Sequence, residues 1–208
     1  MTSRVVFPRV ETGVHNLDLI LNGGLPKGSV TVMSGPPGAG KTTLAQQICF
    51  HNASAARRVL SFATLSQPTA KTLQYVQQFS FFDPKKVDGD VQFVDLGALV
   101  RTKGLETVSS TILQHLKTVK PDIVVIDSFK AFDDLARSKE ELRKFGYEVA
   151  VNLMAWETTA LILGEYAPAE ERFIGKHAAV RTLRALGARP ARRAAARAAP
   201  FGELRWRR

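Results

Sequence analysis

The segment Gly35-Pro-Pro-Gly-Ala-Gly-Lys-Thr42 carries the clearest chemistry in the chain. It meets every fixed position of the phosphate-binding spacing G-x-x-x-x-G-K-[ST]. Glycines at 35, 38 and 40 let the backbone close tightly and turn its N–H groups toward one anion. Lys41 is placed to reach β- and γ-phosphates as a point charge, and Thr42 to offer its hydroxyl to Mg2+. The residues assigned to the nucleotide are Gly35, Gly38, Ala39, Gly40, Lys41, Thr42 and Thr43. Downstream, Asp122-Ile-Val-Val-Ile-Asp127 ends in a carboxylate. Asp127 is expected to hold the same Mg2+, through water, opposite Thr42.

The elements that must position these residues come in the required order. Residues 29–34 are short and rich in β-branched types, as a buried strand entering the loop would be. Residues 42–54 contain neither Gly nor Pro and suit a helix, whose positive N-terminal end would face the same anion. The four apolar residues 123–126 fit a strand covered on both faces, with Asp127 at the edge where open α/β sheets bind ligands.

Further strands are expected at residues 58–64, 91–95 and 159–165. A helix is expected over 68–79, with Leu73, Val76 and Phe79 on one face and the aromatics that follow packing at its end. Another carries Leu105, Val108, Ile112, Leu116 and Val119, and a long one carries Leu142, Phe145, Val149, Leu153 and Trp156. A short helix around residues 16–21 would turn Leu17, Ile20 and Leu21 to one side, and residues 1–10 read as an edge strand or docking arm. Alternating strands and helices give a doubly wound parallel sheet.

Composition narrows the classes. The chain has 208 residues, enough for one α/β domain. A single cysteine, Cys49, excludes an internal disulfide framework and a cysteine-cluster zinc site, and its helical setting predicts a buried, inert thiol. There is no run of 18 apolar residues and no signal-peptide layout, so a cytoplasmic protein without membrane contact is expected. The net charge of +10 suggests nucleic acid, but residues 178–208 hold nine Arg and one Glu and so carry most of it. The remainder is close to neutral.

Thr12-Gly13, then Leu17-Asp18, then Leu21-Asn-Gly-Gly-Leu-Pro-Lys-Gly28 precede the phosphate loop. This signature, with its spacing, resembles the KaiC-like ATPases of the RecA superfamily. The resemblance covers about residues 10–175. It implies a P-loop NTPase fold, ATP with Mg2+, and assembly of identical subunits into hexameric rings with ATP between them. In that family the second strand ends in glutamates that orient the attacking water, and Ser66 and Gln67 stand there in this chain. Gln67 retains the ability to orient water by hydrogen bonding, and Glu165, at the end of the fifth strand, is a substitute carboxylate.

The family would continue past residue 176 with more strands. Residues 178–208 hold ten Ala and nine Arg instead, resembling an out-of-frame product or a basic low-complexity tail. The expected organisation is a RecA/KaiC-like domain over 1–176 lacking its C-terminal strands, then a disordered or loosely helical tail over 177–208. The function this resemblance implies is an ATPase with slow hydrolysis, in which Lys41, Gln67 and Glu165 are expected to do the catalytic work in a regulatory role beside an unidentified protein partner. A non-catalytic nucleotide sensor is one alternative. A RadA-like recombination ATPase is another, with nucleic acid reached through the tail but not favoured.

Overall fold

The computed structural model describes residues 8–64, 69–165, 180–185 and 204–207, the last two stretches as backbone. The strand that enters the glycine loop is β3 (Val30–Ser34), in which all five residues are buried. Such a strand must be covered on both faces and paired on both edges. On one edge it pairs in parallel with β7 (Thr159–Gly164). Beyond β7 lie β6 (Ile123–Asp127), β4 (Val59–Ala63) and β5 (Val91–Asp95), all parallel.

Register sets the site. Ser34 lies opposite Gly164, Leu163 opposite Asp127, and Asp127 opposite Ala63. The residues that follow these strands therefore leave the sheet in one row at its C-terminal edge. That is where a doubly wound sheet gathers chemistry from segments distant in sequence.

Two apolar layers cover the two faces. On one, α2 (Lys41–Asn52) buries Leu44, Ala45, Ile48, Cys49 and Phe50 against the sheet and the N-terminal segment. α1 (His15–Ile20) contributes Leu17 to this layer, and Leu21 follows it inward. Ile20 does not join them: helical spacing puts it on the same face, but it is exposed, beyond the part of that face that the core covers. The short β1 (Arg9–Val10) pairs antiparallel with β2 (Leu25–Pro26) and closes the layer. Phe81 and Phe82 pack on Phe50, so the aromatic run after α3 (Thr69–Val76) is core, as expected.

The opposite layer holds α4 (Gly97–Thr102), α5 (Leu105–Val119) and α6 (Lys139–Ala155). α5 buries Leu105, Val108, Ile112 and Leu116, following its sequence periodicity. α6 starts at Ser138, whose hydroxyl accepts from the Glu141 N–H, while Glu141 reaches back to the Arg137 N–H. This is a capping box displaced by one residue. The helix stops at Ala155, so Trp156 forms its cap and is partly exposed instead of joining the apolar stripe.

Two pieces of the C-terminal stretch expected to lack strands are strands, and the rest of residues 177–208 lies outside the described residues. β8 (Val180–Ala185) pairs in parallel with β3, and β9 (Leu204–Arg207) pairs antiparallel with β8. Without β8, that edge of β3 would present unpaired N–H and C=O groups, and the β-branched types at 180 and 182 favour a strand.

Candidate nucleotide site

β3 ends at Ser34 and the chain enters the glycine loop at a buried Gly35. Gly38 and Gly40 have φ of 74° and 81°, left-handed values that side chains resist, whereas Gly35 lies outside that region. Gly40 is the N-cap of α2 and provides no side chain to cap the first turn. Donors of that turn thus face the loop's hollow beside the helix's positive end. Within the loop, Ala39 uses its N–H internally, donating to the Pro36 carbonyl at 3.2 Å. Thr43 continues the helix, half-buried, one position beyond Thr42.

Lys41 folds over this hollow. Its ammonium donates to the carbonyls of Gly35 at 2.9 Å and Pro36 at 3.0 Å. Burial pushes its pKa below the usual lysine value, against the opposing pull of the Glu165 and Asp127 carboxylates. A cation in this setting is short of negative charge, and a phosphate would supply it.

Next to it, the Thr42 hydroxyl donates to Asp127 Oδ2 at 2.7 Å. Burial raises the Asp127 pKa, while the Thr42 hydrogen bond and the Lys41 charge draw it back down. A hydroxyl and a buried carboxylate in contact offer oxygen donors to a small hard cation. Among the described residues no group of three or more His, Cys, Asp or Glu could hold a metal. The donor set therefore fits a cation that brings most of its ligands with it, as phosphate oxygens and water.

Glu165 follows the last residue of β7 and is exposed. Its carboxylate lies close enough to act on Lys41, and its backbone carbonyl accepts from Lys130 Nζ at 3.0 Å. The structure thus brings Lys41, Thr42, Asp127 and Glu165 to one edge of the sheet. Ser66 and Gln67 lie outside the described residues.

Two residues at this edge were not singled out from sequence. Lys130 sits in the short helical turn after β6 (Phe129–Phe132). Thr64 follows β4 and hydrogen-bonds both backbone groups of Ser128, the residue after Asp127. Only the cross-strand register could have drawn attention to Thr64.

Residues 10–181 match the family described as ATPase: KaiC. The chain belongs to that family. Its relatives place it, with KaiC itself, among the RecA-superfamily P-loop ATPases. The DNA repair protein RadA of Mycobacterium tuberculosis is 30% identical over 117 residues, 56% of this chain and 22% of that protein. The DNA repair and recombination protein RadB of Methanobrevibacter smithii is 29% identical over 126 residues, covering 59% and 52%. The circadian clock oscillator protein KaiC of Rippkaea orientalis is 27% identical over 172 residues, covering 77% and 33%. The chain thus spans between about a fifth and a half of the length of these curated relatives. In fold it is similar to a KaiC-like protein of the archaeon Pyrococcus horikoshii, with a TM-score of 0.70 at 20% identity over 87% of this chain and 82% of that one. The KaiC-like signature at residues 12–28 now has a structural meaning. It builds α1 and β2, which together with β1 pack against the helix that follows the phosphate loop.

Proposed function

We propose that this KaiC-like domain binds ATP with Mg2+, hydrolyses it slowly and uses nucleotide occupancy to control a protein partner. The observation that carries this reading is the direct Thr42–Asp127 contact beside a Lys41 ammonium that donates to two loop carbonyls. Lys41 can exchange those neutral acceptors for phosphate oxygens, gaining a charge-assisted bond. Backbone N–H groups of the loop and the first turn of α2 orient the phosphates. Thr42 and Asp127 would hold the cation. Bound with the triphosphate, Mg2+ would supply charge neutralisation for phosphoryl transfer.

Slow turnover is supported by the residues available to activate water. Where family members have glutamate, this chain has Ser66 and Gln67. Gln67 can orient water but cannot take its proton. Glu165 can take one, and it lies near Lys41 from a neighbouring strand end. In family members a cation from an adjacent subunit completes the site, so assembly into a ring of identical copies belongs to the same reading, as does a cytoplasmic setting. Among the described residues no helix is long and apolar enough to cross a membrane.

The names of RadA and RadB favour a second reading, a DNA-dependent ATPase. The arginines of residues 178–208 would supply phosphate contacts. Turnover stimulated by single- or double-stranded DNA at physiological salt would support it.

The deciding experiment is thermal unfolding with and without Mg2+-ATP, on wild type and Lys41→Ala. A ligand at ~100 times its Kd that binds only the native state adds about 2.7 kcal/mol, several degrees for a domain of this size. The expected result is a shift in wild type and none in Lys41→Ala, with phosphate release slow but dependent on Lys41. A wild-type transition that ignores Mg2+-ATP would overturn the reading.

A further inference from the structure

Thr64 stands just beyond β4 and is only 3% exposed. Its backbone N–H donates to the Asp127 carbonyl at 2.9 Å, continuing the ladder between β4 and β6. Any residue but proline could do that. The side chain does something more particular. Its hydroxyl accepts from the Ser128 N–H at 2.8 Å and donates to the Ser128 carbonyl at 3.0 Å. Accepting and donating at one point requires a hydroxyl, and valine, with the same shape, can do neither.

The bonds fall where the strand's own restraint ends. Asp127 is the last residue of β6, and its side chain meets Thr42 in the first turn of α2. On the far side, Phe129 and Phe132 are anchored in the apolar layer. Ser128 is the link between the carboxylate and that anchor. Fixing both of its backbone groups fixes the direction in which the preceding residue projects.

We propose that Thr64 is a positioning residue for the cation site, holding the Asp127–Ser128 backbone so that the Asp127 carboxylate stays aligned with Thr42. The inference rests on the Mg2+-nucleotide reading given above and extends it to a residue that touches neither ligand. Groups that orient a metal-binding carboxylate change metal affinity or activity by about 10–100-fold when removed. A Thr64 that only satisfied buried backbone groups would affect stability and leave the cation's affinity alone.

The test titrates MgCl2 against wild type and variants at a fixed concentration of a fluorescent ATP analogue, with analogue affinity also measured in EDTA. Thr64→Val is expected to raise the Mg2+ concentration at half-saturation about tenfold, with affinity in EDTA unchanged. Thr64→Ser, which keeps the hydroxyl, should restore the wild-type value. Thr158→Val is the control for stability: Thr158 is buried and donates to the Pro121 carbonyl at the opposite end of the sheet, away from the loop. It should lower the unfolding midpoint and leave the Mg2+ dependence alone. Should Thr64→Val fail to fold, Thr64→Cys, with a weaker donor and acceptor of similar size, must shift the half-saturation in the same direction. An unchanged Mg2+ dependence in the folded variant overturns the inference, and so does an equal loss of affinity in EDTA. Wild type that binds the analogue without regard to Mg2+ overturns the cation part of the reading given above, and wild type that does not bind it at all overturns the nucleotide reading itself.

Discussion

The hydroxyl of Thr42 donates a 2.7 Å hydrogen bond to Asp127, joining residues 85 positions apart across the mouth of the phosphate loop. The bond stabilises the ionised carboxylate, yet burial outweighs it and the Asp127 pKa remains raised. Lys41, whose charge acts on Asp127, is shifted in the opposite direction by its own burial. Both groups are less comfortable charged in the folded protein than in water, although each helps the other. A site with this balance loses stability by holding its charges ready and regains it when ligands of opposite charge arrive.

Asp127→Asn tests that balance. The raised pKa means that the folded protein keeps a proton that the unfolded chain has shed between the ordinary 3.8 and the folded value. Stability from this group therefore falls as pH rises through that window, and the penalty persists at neutral pH. Asparagine keeps an oxygen to accept from Thr42 and removes the charge. The ligand-free variant should melt at or above the wild-type midpoint at pH 7, by on the order of 1 kcal/mol or ~2–4 °C, and lose that acid-side pH dependence. Calorimetry across the pH range checks the first part. The same variant should forfeit the Mg2+-dependent share of the shift produced by ATP.

Glu165→Gln separates binding from turnover. The Glu165 carboxylate supports the charge on Lys41 and sits at an exposed strand end, where water can reach it. Removing its charge leaves the loop, Lys41 and Thr42 intact, so ATP binding should be retained. If Glu165 takes the proton of the attacking water, residual hydrolysis should fall by about 100-fold, within the usual range for a general base. Single-turnover phosphate release is the measurement, and an unchanged rate would remove Glu165 from the mechanism.

The glycines of the N-terminal signature and of the phosphate loop should respond differently to alanine. Gly24 has φ of 111°, and a Cβ there would collide with the Val10 backbone carbonyl. Gly38 also has positive φ, but a Cβ would meet nothing within 4 Å. Gly24→Ala should therefore cost on the order of 3 kcal/mol, from strain and from separating β1 from β2. Gly38→Ala should cost about 1 kcal/mol, from backbone conformation alone. Chemical denaturation of both variants gives the comparison, and equal costs would contradict it.

These positions also show what the sequence could and could not convey. Loop residues were legible because Gly, Lys and Thr at fixed spacing have few other uses, and β6 was legible because four consecutive apolar residues require cover on both faces. α4 escaped notice because Gly97–Thr102 is too short to establish a period. Ile20 was placed inward because helical spacing says which residues share a face but not how much of that face the core covers. Composition pointed away from strands in the Arg- and Ala-rich stretch, whereas the open edge of β3 favours β8. Thr64 was beyond reach for a different reason. Its partner is 64 residues away, and only the register of β4 on β6 brings them together.

Cys49 offers a way to ask whether the loop's helix opens by itself. It is wholly buried in α2, eight residues after Lys41, and burial pushes its thiol up to about 12. The native protein should therefore present no thiolate at pH 8, and a disulfide reagent should label Cys49 only after the site opens. The raised value also means that stability falls as pH rises above the ordinary thiol range, because the unfolded chain then sheds a proton that the folded one keeps. If opening means global unfolding, ATP with Mg2+ at ~100 times Kd should slow labelling about 100-fold, since it lowers the population of unfolded chain by that factor. Lys41→Ala should show no such protection. Rapid labelling that ignores ATP would instead mean that α2 detaches while the phosphate loop remains formed, which the shared packing of Ile48, Cys49 and Phe50 against the sheet argues against.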